Sequence, residues 1–316
     1  MKVSILIPTL NRLSYLKGSL KSAREQTYEN LQILVSDDGS SDKSREYVRA
    51  VEAIDNRVRL LPQNPCPGLF ENINYLVRHC GSDAFCILGD DDSLSPDFVE
   101  KLVQPLLRDA QVALSFCDHW LMDGVGKLLE EETERHAACY GRLSLPEGEV
   151  ADPVPQAMIG SVCMGFSLYR ASVFGDELFD LSCGGAADFD YAIRAAQLGK
   201  LYYVKERLGT YRVHPATATA TRPAYMINGI IRVYSKHSFQ ESRHEKIRRD
   251  ILNSKYCTKA LFTCVLDRRE WLHSVASYLK NGGKLFNPRI ALSLLLVLLP
   301  QFAATKIKSI LKNVYT

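Results

Sequence analysis

This sequence has no C-x-x-C pair. Its nine cysteines are odd in number and scattered from Cys66 to Cys264. That distribution fits neither a disulfide framework nor a zinc site of the usual spacing, and the thiols are expected to be reduced, as in a cytosolic protein. Nor is there a run of about 20 apolar residues, the length a membrane-spanning helix needs. The most apolar run, IALSLLLVLL at 290–299, stops at Pro300. The opening MKVSILIPTLNR is interrupted by Pro8 and Asn11, so it does not read as a secretory leader. The first apolar run is not followed by G-x-G-x-x-G, which disfavours a dehydrogenase. Low-complexity tracts and internal repeats are also missing. What remains is 316 residues, 46% hydrophobic and 24% charged, the profile of a conventional globular chain with a sizeable core.

The net charge of +3 hides an asymmetry. Residues 1–231 carry 23 Lys+Arg against 31 Asp+Glu, whereas residues 232–316 carry 16 against 5, a net +11. A basic terminal segment seeks an anionic partner, nucleic acid or lipid headgroups. The tail lacks interleaved stacking aromatics, so nucleic acid is not expected. After the apolar run, Ala303, Ile307, Ile310 and Val314 recur at helical spacing with Lys306, Lys308 and Lys312 between them. That pattern reads as a peripheral anchor on an anionic membrane surface. The competing reading is that 290–299 is a buried helix packed on the α/β domain that precedes the basic region.

Strands and helices alternate through the first two thirds. Residues 3–7 read as a buried strand ended by Pro8, and Leu13, Leu16, Leu20 and Ala23 mark one face of a helix. A strand at 31–35 runs into Ser36-Asp37-Asp38-Gly39-Ser40. A helix over 42–54, a short strand at 57–61 and a helix over 69–79 follow, then a strand at 84–88 ending in Gly89-Asp90-Asp91-Asp92. A further strand is expected at 112–117, then an irregular solvated insertion over 123–157. Strand-and-turn character returns at 161–175. A helix spans 188–198 with Ile193 and Leu198 buried, and the last strand is 201–204. From about residue 223 the pattern is helical and basic. The fold class is α/β, with a mostly parallel central sheet flanked by helices and a helical basic C-terminal extension. In such sheets ligands gather at the carboxyl ends of the strands.

Adjacent carboxylates repel unless a cation or water screens them. Asp90-Asp91-Asp92 at a strand end therefore suggests a hard divalent ion, Mn²⁺ or Mg²⁺, which suits oxygen donors and binds substrate phosphates as well. The bland alternative is a solvated turn before the helix near Pro96.

Five segments together resemble the inverting glycosyltransferases of family 2, with the GT-A fold. VSILIPTLNR is similar to the family's opening strand, and QTYENLQILVSDDGSSDKS to its second strand and nucleotide-contacting turn. ILGDDDSLSPDFVEKL is similar to its DxD-type segment, DFDYAIRAAQLGK to the segment bearing the catalytic base, and LGTYRVHPATAT to its closing motif. The resemblance covers residues 1 to about 222. It implies a catalytic domain over 1–222, with a nucleotide- and metal-binding half at about 1–117 and an acceptor half at about 118–222, ahead of a helical region at 223–316. It also implies a donor pocket lined by Pro8, Thr9 and Arg12, with Asp38 accepting a hydrogen bond from the base, the imide N–H if that base is uracil. Asp91, with help from Asp90 or Asp92, is assigned to the metal, and Asp90 alternatively to the nucleotide ribose. Arg212 and His214 are placed near the phosphates or the acceptor on a closing segment, His214 also being counted with the metal set, and Asp188 is the general base. The implied activity is transfer of a sugar from a nucleotide-diphosphate sugar, expected to be UDP-linked, to a glycan or lipid-linked acceptor. That would serve surface polysaccharide or glycoconjugate synthesis on the cytoplasmic face of a membrane. Two departures stand out: Gly89 replaces the first Asp of D-x-D-D, and Ala187 replaces the acidic residue before the base. They keep open a non-catalytic glycan- or membrane-binding module on a decayed scaffold. A nucleotidyltransferase fits less well, because no Gly-rich, Lys/Arg-bearing phosphate loop is evident.

Overall fold

The computed structural model describes residues 1–61, 68–173, 179–214, 223–264, 267–284 and 286–297. They divide into two compact units: Met1–Leu181 with Asp188–His214, and Ser182–Ala187 with Pro215–Thr316.

The first unit holds a sheet of nine strands among the described residues. They are β1 (Val3–Thr9), β2 (Leu31–Asp37), β3 (Val58–Leu60), β4 (Ala84–Ile87), β5 (Ser93–Leu94), β6 (Val112–Met122), β7 (Gly148–Glu149), β8 (Ser167–Arg170) and β9 (Lys200–Arg212). Their order is β3-β2-β1-β4-β8-β6-β9-β5, with β7 paired to β9. The parallel pairings are β3-β2-β1-β4 and β6-β9, while β8, β5 and β7 run antiparallel to their neighbours. The parallel character thus concentrates in the N-terminal half. All seven residues of β1 are buried, as a central strand covered on both faces requires. The register pairs Thr9 with Asp37 and Leu6 with Ile87, so the polar turns after β1, β2 and β4 emerge at one edge.

Helices α1 (Leu13–Arg24), α2 (Ser44–Glu52), α3 (Leu69–Cys80), α4 (Phe98–Arg108), α5 (Glu130–Cys139), α6 (Pro153–Ile159) and α7 (Ala187–Leu198) complete this unit's elements. On α1, Leu16, Leu20 and Ala23 are buried while Lys17 and Lys21 are exposed, the one-sided pattern the sequence shows. Three expectations change. The 123–157 stretch is not irregular throughout. It contains α5, whose Glu130, Glu131 and Glu132 lie in the first turn where the helix dipole favours acid, and whose buried stripe is only Thr133 and Ala137. Leu198 is 60% exposed at the end of α7, whereas Ile193 is fully buried, because the helix ends before its last turn meets the core. Strands β6 and β9 run well past their apolar cores, carrying polar residues out toward the site.

The second unit contains α8 (Pro223–Lys236), α9 (Ser242–Thr263), α10 (Arg268–Lys280) and α11 (Pro288–Val297). Helix α9 packs on α8, α10 and α11 around Cys257, Ala260, Leu261, Trp271, Tyr278, Ile290 and Leu296. Asp267 caps α10 by accepting from the Arg269 and Glu270 N–H groups. On α11, Ile290, Ser293 and Leu296 are buried, and Ser293 accepts from the Trp271 indole at 3.1 Å. Leu292, Leu294 and Leu295 stay exposed. Over its described residues, 290–297, the run is therefore partly core and partly open face. The expected amphipathic stretch from Ala303 to Val314 lies outside the described residues. Among the described residues no helix is long and apolar enough to cross a membrane.

Candidate active site

The turn after β1 is built by Asn11, the one non-glycine with positive φ (+53°) among the described residues. Asparagine tolerates that region. Its N–H donates to Ser40 Oγ at 2.8 Å, and its Oδ1 accepts from the Ser41 N–H at 2.7 Å. Asp42 then accepts from the Leu13 N–H at 2.9 Å. These bonds stitch the turn after β1 to the turn after β2. Pro8 is buried in β1, Thr9 is 4% exposed, and the Asp38 N–H donates to the Thr9 carbonyl at 2.9 Å. Asp37 is buried and accepts from the backbone and hydroxyl of Ser40, so it shapes this turn, while Asp38 is only half-buried beside it.

The turn after β4 meets this pair from the next strand over. Asp90 Oδ2 accepts from the Thr9 hydroxyl at 2.8 Å, and its Oδ1 lies 3.2 Å from Arg12 Nη1. The same guanidinium nitrogen donates to Asp91 Oδ2 at 2.5 Å, and His214 Nε2 reaches that oxygen at 3.1 Å. Asp92 points elsewhere: its Oδ1 accepts from the Arg212 N–H at 2.8 Å. Arg212 Nε donates to the Asp91 carbonyl at 2.9 Å, and its Nη1 donates to the Asp123 carbonyl at 3.0 Å. Gly89, where D-x-D-D has its first Asp, lies against this fold: a Cβ there would come within 2.7 Å of Asp92 Oδ2, so a side chain at this position would require the third carboxylate to shift.

Burial, opposed by Arg12 and the Thr9 hydroxyl, raises the Asp90 carboxyl to about 6. Burial and then the Asp91 charge raise Asp92 well above the usual carboxylate range. The structure thus brings Thr9, Arg12, Asp90, Asp91, Arg212 and His214 together. Asp91 and His214 share one point, while Asp90 and Asp92 are turned to other partners. Among the described residues, these four acidic and imidazole groups do not gather three ligand atoms within 4.8 Å of one another. Asp91 and His214 converge as two donors suited to a divalent ion completed by phosphate oxygens and water, provided the Arg12 nitrogen now on the shared Asp91 oxygen moves off it.

Asp188 sits in the first turn of α7, half-buried, with Oδ1 accepting from the Phe189 N–H at 2.9 Å. Its dense surroundings raise its carboxyl to about 6. Its field and that of Asp92 act on the same two groups, the Tyr211 hydroxyl and the Cys163 thiol, the latter pushed by burial to about 11. Asp190, one turn face away, is fully buried and paired with Arg194 at 2.9 Å. Arg170 binds three backbone carbonyls, at Val112, Leu106 and Asp109, and is structural.

Sequence reading passed over Tyr15, which stacks on His214 (ring centroids 5.6 Å apart) and lies under Arg212 at 5.0 Å. Its signal was its place in the first turn of α1, three residues after Arg12 at the helix start. Tyr211 and Asn11 lay within the motifs but were given no role, since neither carries a charge.

A sheet whose parallel half ends in stitched acidic turns at one edge, flanked by helices, is the α/β scaffold of a GT-A type transferase. The chain belongs to glycosyl transferase family 2, whose sequence model matches residues 4–177. It is 27% identical over 205 residues to the chondroitin synthase of Escherichia coli, covering 65% of this chain and 28% of that protein. The chain spans less than two thirds of the length of the curated relatives it matches. In fold it resembles S. aureus TarS 1–349 in complex with UDP-GlcNAc (TM-score 0.64, 14% identity, 89% of this chain and 81% of that one). It also resembles the mannosyltransferase PcManGT from Pyrobaculum calidifontis in complex with GDP-Man and Mn²⁺ (TM-score 0.60, 16% identity, 98% and 84%).

Proposed function

We propose that this protein moves a sugar from a nucleotide-diphosphate sugar, UDP-linked, to a hydroxyl of a glycan or lipid-linked acceptor, with inversion at the anomeric carbon. The observation that carries the reading is a pair of opposed carboxylate environments acting on one tyrosine. Asp91 and His214 share a cation-seeking point, and the half-buried Asp188, its carboxyl raised to about 6, acts with Asp91 and Asp92 on the Tyr211 hydroxyl. The family membership and the UDP-GlcNAc and GDP-Man/Mn²⁺ complexes of proteins of similar fold support it.

Pro8, Thr9 and Arg12 line the nucleotide pocket, and Asp38 accepts from the base. Asp91 and His214 would hold Mn²⁺ or Mg²⁺, with Asp92 fixing the Arg212 backbone behind them. A bound divalent ion would supply Lewis-acid stabilisation of the departing diphosphate. Asp188 takes the proton of the acceptor hydroxyl as its oxygen bonds to the anomeric carbon and the carbon–phosphate oxygen bond breaks. A single base opposite the leaving group gives one displacement, hence inversion. With a lipid-linked acceptor, the basic second unit and its open α11 face would hold the enzyme on the cytoplasmic face of an anionic membrane.

The test is a binding screen of nucleoside diphosphates with and without Mn²⁺, followed by a nucleotide-sugar hydrolysis panel. UDP binding strengthened by Mn²⁺ and hydrolysis of a UDP-sugar are expected. Absence of both would leave the non-catalytic reading.

A further inference from the structure

Arg12 occupies the place a cation would take at the acidic turn. Its Nη1 contacts Asp91 Oδ2 at 2.5 Å and Asp90 Oδ1 at 3.2 Å. The Asp91 oxygen is also the one His214 Nε2 reaches at 3.1 Å. The two donor atoms suited to a divalent ion are therefore both engaged by this chain's own groups. A metal ion cannot take Asp91 Oδ2 while a guanidinium sits on it, because two cations would be in contact. We propose that Arg12 is a resident counter-cation that closes the acidic turn to free metal, and that the donor's diphosphate opens it by drawing the guanidinium onto its own oxygens. This rests on the metal-dependent reading of the same site.

The geometry suits such an exchange. The backbone at Arg12 is fixed, since Asn11 is bound to Ser40 and Ser41 and the Arg12 carbonyl starts α1. The side chain is long and 31% exposed, so it can swing without disturbing that turn. Asp90 retains its Thr9 hydrogen bond when the guanidinium leaves. Arginine binds phosphate through two parallel N–H bonds, which makes a diphosphate an effective competitor for it. Metal and nucleotide then bind with positive coupling, and the coupling is reciprocal.

Mn²⁺ binding to the full chain, followed by the paramagnetic resonance signal of free Mn²⁺, tests this with and without UDP. Wild type, Arg12→Ala and Arg12→Lys are compared, and thermal melts verify that each folds. Without UDP, Arg12→Ala is expected to bind Mn²⁺ at least about tenfold more tightly than wild type, within the usual range of coupling between sites. Arg12→Lys, which keeps the charge without the fork, should fall between them. UDP adds phosphate ligands in every case, so the informative quantity is the difference in gain: wild type should gain more affinity on adding UDP than Arg12→Ala does. Equal Mn²⁺ affinity of the three proteins without UDP, or equal gains with it, would overturn the role of Arg12 while leaving the metal reading intact. If none of them binds Mn²⁺ even with UDP, the metal reading falls and this inference with it.

Discussion

At the scale of single residues, Asp188 carries opposed demands. Burial raises it from 3.8 to about 6, so its folded-state proton is held more tightly than in the unfolded chain. The associated stabilisation is complete below pH 3.8 and is lost as pH rises through about 6. Above that, an ionised Asp188 costs the fold up to about 3 kcal/mol. Asp188→Asn should therefore raise the melting temperature at pH 7.5 while turnover drops by about two to four orders of magnitude, with UDP binding nearly unchanged. Paired melts and rate assays read this. A variant that is both active and unstabilised would assign the base elsewhere. Wild-type turnover should fall on the acid side below about pH 6, where the base becomes protonated. Gly89 gives a second residue-level expectation. Gly89→Ala would press on Asp92 Oδ2 from 2.7 Å, displacing the acceptor of the Arg212 N–H. Sugar-nucleotide hydrolysis should fall more than about tenfold, for a stability loss of about 1–3 kcal/mol or less; a fully active variant would show that Asp92 need not fold back.

Among the elements, β9 does the most to assemble the cleft, because it pairs with β6, β5 and β7 and delivers Arg212 and His214. Gly209 makes this possible. A Cβ there would lie 2.4 Å from Phe166 Cε1 and 2.7 Å from the Ser93 carbonyl, so β5 could not approach. Gly209→Ala is expected to cost about 1–3 kcal/mol by overpacking and to impair activity, since backbone cannot step aside as a flexible side chain can. Gly18→Ala should do the opposite. Gly18 lies inside α1 with nothing within 4 Å of an added Cβ, so the change should stabilise by about 0.5–1 kcal/mol. Denaturant melts of the two variants should move in opposite directions; a shift of the same sign in both would contradict the packing described here.

For the molecule as a whole, the charge asymmetry and the half-open α11 predict behaviour at a membrane. Deleting residues 285–316 would remove Ile290 and Leu296 from the second unit's own core, so truncation would confound folding with binding. Substitution on the open face separates them. Leu294→Glu with Leu295→Glu should weaken binding to vesicles containing anionic lipid and spare hydrolysis of the sugar nucleotide. Binding of the unsubstituted protein should fade as salt rises, since the screening length shrinks to about 3 Å at 1 M. Sedimentation with vesicles at low and high salt checks both points. Binding unaffected by salt and by the double substitution would remove the membrane from the account.

The alternation of apolar runs with helical faces determined the strands and helices of the N-terminal half, because burial on both faces of β1, β2 and β4 leaves a local, periodic trace. The acidic clusters and the Tyr-Arg-x-His segment likewise showed in the chain, since charge in a strand-end turn is conspicuous. What the chain could not show was direction and distance. A buried strand reads the same whether its neighbour is parallel or antiparallel, so the insertion of β8 between β4 and β6 came only with the tertiary structure. The polar helix α5 was hidden for a related reason: its buried stripe is two residues wide, too narrow to set a period. The division of labour among Asp90, Asp91 and Asp92 was likewise invisible. Three identical side chains in a row are told apart by what reaches them from strands distant in sequence: Thr9 and Arg12 from β1 and its turn, Arg212 and His214 from the end of β9.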